Sequence, residues 1–253
     1  MASPDTAAHG RRTRRRPGPG WVPNQHGAWG MLASPFLVGV VAASPRWVHL
    51  PLVLLWFVGY FAFFAAGLWL KSGRRARYLP PLRAYGIATV PLGGSVLAMR
   101  PDLVVWAPVF APLLLAGLWF AARRQDRSLP SGLATILAAC LMTVVAFDAG
   151  DGTDWGRAWT LTAVLVAYFV GTLFYVKTMI RERDSRAYYR LSVGYHVLVT
   201  VAMAWVSWWL VGLFALLAVR AVVLPGRALT PKQVGIGEIL ANVAVVVVAL
   251  LVV

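Results

Sequence analysis

The sequence predicts an all-α, polytopic membrane protein of about nine transmembrane helices, with its N-terminus and its largest basic loops on the cytoplasmic side. Three observations carry that prediction. Only 13% of the 253 residues are charged and 59% are hydrophobic, whereas a soluble domain has roughly a quarter of its positions charged. From Trp21 onward, apolar segments of about sixteen to twenty-four residues recur, close to what a helix rising about 1.5 Å per residue needs to cross about 30 Å of hydrocarbon. The Lys and Arg residues sit between these segments, so the net charge of +15 reads as membrane topology and not as a nucleic-acid surface.

Residues 1–20 combine Pro, Gly and the run Arg11, Arg12, Arg14, Arg15, Arg16 with almost no apolar side chains. They cannot offset the entropy of ordering and read as a disordered basic cytoplasmic tail. Residues 21–253 form the transmembrane helical domain, with spans predicted at 28–43, 47–70, 84–99, 103–121, 131–148, 158–178, 188–204, 206–223 and 236–253. Basic residues concentrate in the cytoplasmic loops of membrane proteins. With the tail inside, 21 of the 24 Lys and Arg residues fall on that side. Arg46, Arg100 and Arg157 fall outside, one in each of three short loops, and the chain ends outside at Val253. The stretch 188–223 is open to one long helix or two; splitting it keeps Arg220, Arg227 and Lys232 inside. The arginine run, the apolar run 31–41 and Val41, Ala42, Ala43 also fit the three regions of a signal peptide. Eight further apolar segments follow. Cleavage would leave the later topology unchanged.

Pro35 and Gly39, then Pro91, Gly93 and Gly94, then Pro108 and Pro112 should kink or interrupt their helices. Such positions serve either close packing through small residues or a ligand cavity. The single cysteine, Cys140, lies in an apolar stretch and excludes an intramolecular disulfide or a CxxC metal site.

Four segments could carry chemistry. If the second helix continues past the membrane, Gly67, Lys71, Arg74, Arg75 and Tyr78 share one face, and with Arg77 they form a basic stripe suited to a phosphate. The alternative is a topology signal touching anionic lipid. After the sixth span, Lys177, Arg181, Asp184 and Tyr188 would line a continued helix, with Glu182 one turn from Arg186. That mixed-charge segment offers either surface ion pairs or a site for a cation or an anionic group. His26, where the first span enters the membrane, is a candidate acid or base, or a structural hydrogen-bond donor. Glu238 and Asn242, one turn apart in the last span, are an intramembrane polar pair for which Arg220 is a partner within reach. His196 with Tyr195 reads as packing. Asp148, Asp151 and Asp154 read as a solvated Gly-rich turn, because they lack the alternating order of a calcium loop.

The strings Asn24 to Met31, Lys71 to Tyr78, Lys177 to Asp184 and Pro231 to Glu238 together resemble the bacterial YwiC-like membrane proteins over nearly everything after the tail. That resemblance implies a membrane protein and leaves the activity open. A more distant resemblance, through Ser34 to Gly39 and Ile180 to Asp184, is to UbiA-type aromatic prenyltransferases. It implies a UbiA-like helical bundle of nine helices that binds prenyl diphosphate through two Asp-rich cytoplasmic segments. Glu182 and Asp184 would be carried-over carboxylates of the second segment. Lys71, Arg74, Arg75 and Arg77 stand where the first would supply aspartates, which argues against ordinary magnesium-dependent transfer.

The resulting expectation is a bacterial inner-membrane protein that binds an anionic or phosphate-headed amphiphile at a cytoplasmic-face pocket. Lys71, Arg74, Arg75, Arg77, Lys177 and Arg181 would hold the anion, and His26, Glu182 and Asp184 would handle protons. A UbiA-like prenyltransferase or lipid-modifying enzyme and a transporter of a small anionic amphiphile are the alternatives. Membrane lipids, a prenyl or phosphate-headed lipid among them, are the expected partners; no nucleic acid, metal or cofactor is called for.

Overall fold

The computed structural model describes residues 20–23, 26–227 and 229–253. All of the tail predicted at 1–20 except Gly20 lies outside the described residues, as does the side chain of His26. Among the described residues every regular element is helical. The nine α-helices are α1 (His26–Ala42), α2 (His49–Lys71), α3 (Leu79–Met99), α4 (Ala107–Ala122), α5 (Leu129–Ala149), α6 (Trp155–Ile180), α7 (Arg186–Ala202), α8 (Trp208–Val223) and α9 (Pro231–Val252).

Among the described residues six segments are long and apolar enough to cross a membrane: α2, Pro101–Ala122 (which includes α4), α5, α6, Trp208–Gly226 (which includes α8) and α9. α1 is a shorter apolar helix, and α3 and α7 occupy the remaining predicted spans. The chain is thus an all-α polytopic membrane protein. The stretch 188–223 is two helices, because α7 tightens into a 3₁₀ turn at Met203–Trp205 and the Ser207 hydroxyl accepts from Trp209 N at 3.3 Å to start α8. Trp205, Trp208 and Trp209 at that turn are 83%, 78% and 76% exposed, as suits an aromatic belt at a membrane surface.

Sequence-local signals start the later helices. Ser128, Asp154, Ser185 and Thr230 cap α5, α6, α7 and α9, and Thr230 with Gln233 forms a reciprocal capping box. The core lies on α5 and α6, whose apolar windows are 56% and 61% buried; those of α2 and α4 are 11% buried and face outward. α1 packs against α5, α6 and α9, while α2 contacts α3 and α4 on one flank and α7 contacts α6 and α8 on the other.

The small-residue reading holds for one of the two Gly-bearing spans. A Cβ at Gly39 would overlap the Thr143 carbonyl oxygen and come within 2.8 Å of Ala146 Cβ, so α1 and α5 meet backbone to backbone. Gly93 and Gly94 have nothing within 4 Å. α1, α3 and α4 run unbroken through Pro35, Pro91 and Pro112. Pro108 sits in the first turn of α4, where no intrahelical bond is lost.

Candidate functional site at the cationic end

The α2–α3, α4–α5, α6–α7 and α8–α9 connections gather at one end of the bundle, and most of the described Lys and Arg residues gather with them. The predicted basic stripe on α2 does not form as a continuous helix face. α2 stops at Lys71 because Gly73 and Arg74 turn left-handed, at φ 75° and 65°, and Gly73 N and Arg74 N bond back to Leu70 O and Trp69 O at 3.1 and 2.8 Å. Arg74, Arg75 and Arg77 therefore leave the helix axis and are exposed. Arg74 stacks at 5.6 Å on Trp69, and Arg77 stacks at 4.9 Å on Tyr78.

The second stripe is interrupted in the same way. α6 ends at Ile180, and the Ser185 cap restarts the chain as α7. Lys177, Arg181, Asp184 and Tyr188 thus lie on no single helix, and Glu182 does not meet Arg186 across a helical turn. The turn nevertheless folds back, and Lys177 Nζ lies 5.9 Å from the Tyr188 ring centroid. Arg181 and Asp184 are exposed and Glu182 is half-buried. Neither carboxylate enters an ion pair among the described residues; the pairs at this end are Lys71 with Asp126 and Arg220 with Glu238.

The two lysines meet on the α4–α5 loop. Lys71 Nζ donates to both Asp126 carboxylate oxygens at 2.8 Å, and Arg124 Nε donates to the Lys71 carbonyl at 3.3 Å. Lys177 Nζ donates to the Arg127 carbonyl at 2.8 Å. Asp126 and Arg127 are consecutive, so the ends of α2 and α6 are tied to neighbouring residues of one short loop. Sequence reasoning missed Asp126, whose one visible signal was a lone carboxylate among Arg123, Arg124 and Arg127.

A polar seam runs inward from this end between α6, α8 and α9. Arg220 pairs with Glu238, and their side chains are 15% and 14% exposed. Thr172 Oγ1 donates to the Glu238 carboxylate at 2.9 Å, and the Tyr168 hydroxyl donates to the Glu238 carbonyl at 3.0 Å. The Arg220 guanidinium stacks on the Tyr175 ring at 4.2 Å, while its Nε and Nη2 are buried without a partner. One turn along α9, Asn242 Nδ2 donates to Ser34 Oγ of α1 at 2.7 Å, leaving Asn242 Oδ1 without a partner. His196 is buried, with Nδ1 2.7 Å from the Ser192 carbonyl, in agreement with a packing role.

The opposite end uses its charges internally. Arg100 reaches Asp102, Asp148 and Asp151 at 2.6, 3.7 and 2.7 Å, and Arg46 reaches Asp151 at 2.9 Å. Asp154 caps α6, accepting from Arg157 N at 2.9 Å. The aspartate-bearing turn is exposed at Asp151 and Asp154, in keeping with the solvated turn read from sequence, and Arg46 and Arg100 also pair with it.

A family model described as YwiC-like protein matches residues 22–147. The uncharacterized protein YwiC of Bacillus subtilis is 35% identical over 219 residues, covering 86% of this chain and 92% of that protein. The chain belongs to the YwiC-like family. An uncharacterized protein of Haemophilus influenzae is 29% identical over 218 residues, with the same coverage of both chains. No solved structure matches the chain. The stretch matched by the YwiC-like model takes in α1 to α4 and most of α5, with Lys71, Arg74, Arg75, Arg77 and Asp126; Lys177, Arg181, Arg220 and Glu238 lie beyond it.

Proposed function

We propose that this YwiC-like protein lies in a bacterial cytoplasmic membrane with its cationic end inside, and that it binds an anionic, phosphate-headed amphiphile there. The observation that carries this reading is the tying of Lys71 and Lys177 to consecutive residues of the α4–α5 loop. Through it the ends of α2 and α6, which lead into the turns bearing Arg74, Arg75 and Arg77 and bearing Arg181, are tied to one loop whose single carboxylate is Asp126. Guanidinium forks match phosphate oxygens, and charge-assisted hydrogen bonds are the stronger class. Clustered cations repel one another, and a bound anion offsets that repulsion. Glu182 and Asp184 at the rim, and His26, are the proposed proton-handling groups.

The lipids that copurify with the protein test the ligand class. Mass spectrometry of protein extracted in mild detergent should find anionic phosphate-headed lipid enriched over its share of the membrane extract. A bound fraction with the composition of the bulk membrane would contradict the reading. Cysteine accessibility tests the orientation. In intact cells, a cysteine replacing Ala76 should be protected from an impermeant reagent and one replacing Thr153 labelled, with the buried Cys140 silent. The reverse pattern would invert the topology.

A transporter of an anionic amphiphile is the second reading, favoured by the Arg220 and Glu238 pair inside the bundle, since intramembrane ionisable groups mark substrate and proton paths. The UbiA-like enzyme reading would need cations in place of one metal cluster. Among the described residues no three His, Cys, Asp or Glu side chains stand together as a metal site.

A further inference from the structure

We propose that Arg220, inside the bundle, is the binding residue of a second site, which takes one small monocarboxylate on the guanidinium edge that Glu238 leaves free, together with one proton on Glu238. The site is separate from the headgroup site proposed at the loops and stands whether or not those loops hold a lipid. It gives the Arg220 and Glu238 pair a ligand without requiring transport.

The guanidinium is engaged on only part of its perimeter. Nη1 pairs with Glu238, and one face stacks at 4.2 Å on the Tyr175 ring. Nε and Nη2, which stand on one edge of the plane with parallel N–H groups, are buried and have no partner among the described residues. Buried charged donors are costly to leave unpaired, and this edge is the fork that a carboxylate fills with both of its oxygens. Two features admit a small ligand. Arg220 lies in the last turn of α8, close to the cationic end. Gly235, one turn before Glu238 on α9, has nothing within 4 Å of where a side chain would start, so α9 leaves open space beside the acid.

Charge fixes what accompanies the anion. Arg220 and Glu238 cancel, so a bound carboxylate alone would leave one surplus negative charge inside the bundle, where the low dielectric makes it expensive. A proton on Glu238 removes that charge. The structure holds an acceptor for the proton. Asn242, 8% exposed, lies one turn along the same face of α9; its Nδ2 donates to Ser34, while its Oδ1 has no partner among the described residues. An ionised Glu238 can only accept, whereas a protonated one donates. One carboxylate and one proton therefore satisfy three buried atoms at once: Arg220 Nε, Arg220 Nη2 and Asn242 Oδ1. The other titratable groups around the pair are Tyr168 and Tyr175 of α6, with Tyr195 and His196 of α7, which are turned to the carbonyls of Ala167 and Ser192. α1 supplies the uncharged Ser34.

Equilibrium binding of radiolabelled butyrate to the full chain in detergent, at pH about 6 and about 8, tests this. The wild-type protein should bind about tenfold or more tightly at the lower pH, as uptake of a proton with the anion requires. Glu238→Gln, fixed in the neutral form, should bind equally at both. Arg220→Lys keeps the charge without the fork and should weaken binding about tenfold. The double variant Arg220→Met with Glu238→Leu, which leaves no buried charge unpaired, should not bind. No binding to the wild-type protein, or wild-type affinity in the double variant, would overturn the site. Equal wild-type affinity at both pH values, or a pH dependence kept in Glu238→Gln, would overturn the proton on Glu238. Displacement of butyrate by phosphatidylglycerol would overturn the separation from the headgroup site.

Discussion

Glu238→Ala is expected to destabilise the bundle by about 3–5 kcal/mol, the usual cost of removing one partner from a buried ion pair. Arg220 has no substitute for the lost carboxylate. Its Nε and Nη2 are already buried without partners, and the remaining contact is the face of Tyr175. Thr172 loses an acceptor at the same time, whereas the Tyr168 hydroxyl keeps its bond to the Glu238 backbone. Replacing both members, Arg220→Met with Glu238→Leu, should recover most of the loss, because an apolar pair of similar volume carries no uncompensated charge. Equilibrium unfolding in mixed micelles reads both effects. Wild-type stability in Glu238→Ala would mean that water reaches the guanidinium, and the seam would then be a hydrated path and not a packed ion pair.

This pair was legible before the structure, since an acid one turn from Asn242 in the last span and an arginine near the end of the previous one leave few other partners. The nine helices among the described residues were legible for the same kind of reason: apolar length and the placement of cations are properties of the local sequence. The helix ends were visible but misjudged. Gly73 after Ser72 is an ordinary stop signal and Ser185 an ordinary start signal, yet the charge pattern suggested helices running through both. Asp126 could not have been matched to Lys71 from sequence, because the pairing depends on α2 lying beside the α4–α5 loop, a contact 55 residues apart in the chain. The same holds for Thr172, Tyr168 and Tyr175, single polar groups in an apolar span whose partners are fixed by the rotation of α6 against α8 and α9. Nor do left-handed Arg74 and Arg124 announce themselves, since arginine is not among the residues enriched in that region.

The most direct test of the central claim is the affinity of the Arg74→Gln and Arg181→Gln variants for a short-chain phosphatidic acid, measured by calorimetry on the full chain in detergent. The two arginines sit on separate turns that Lys71 and Lys177 tie to one loop. Both are exposed, so neither substitution should disturb folding or insertion. If the two turns share one headgroup, each variant should weaken binding by about 1.5–3 kcal/mol, the worth of a charged hydrogen bond, which is tenfold or more in Kd. Affinity equal to wild type in both variants would contradict the account and reduce the cations of these turns to signals of membrane topology.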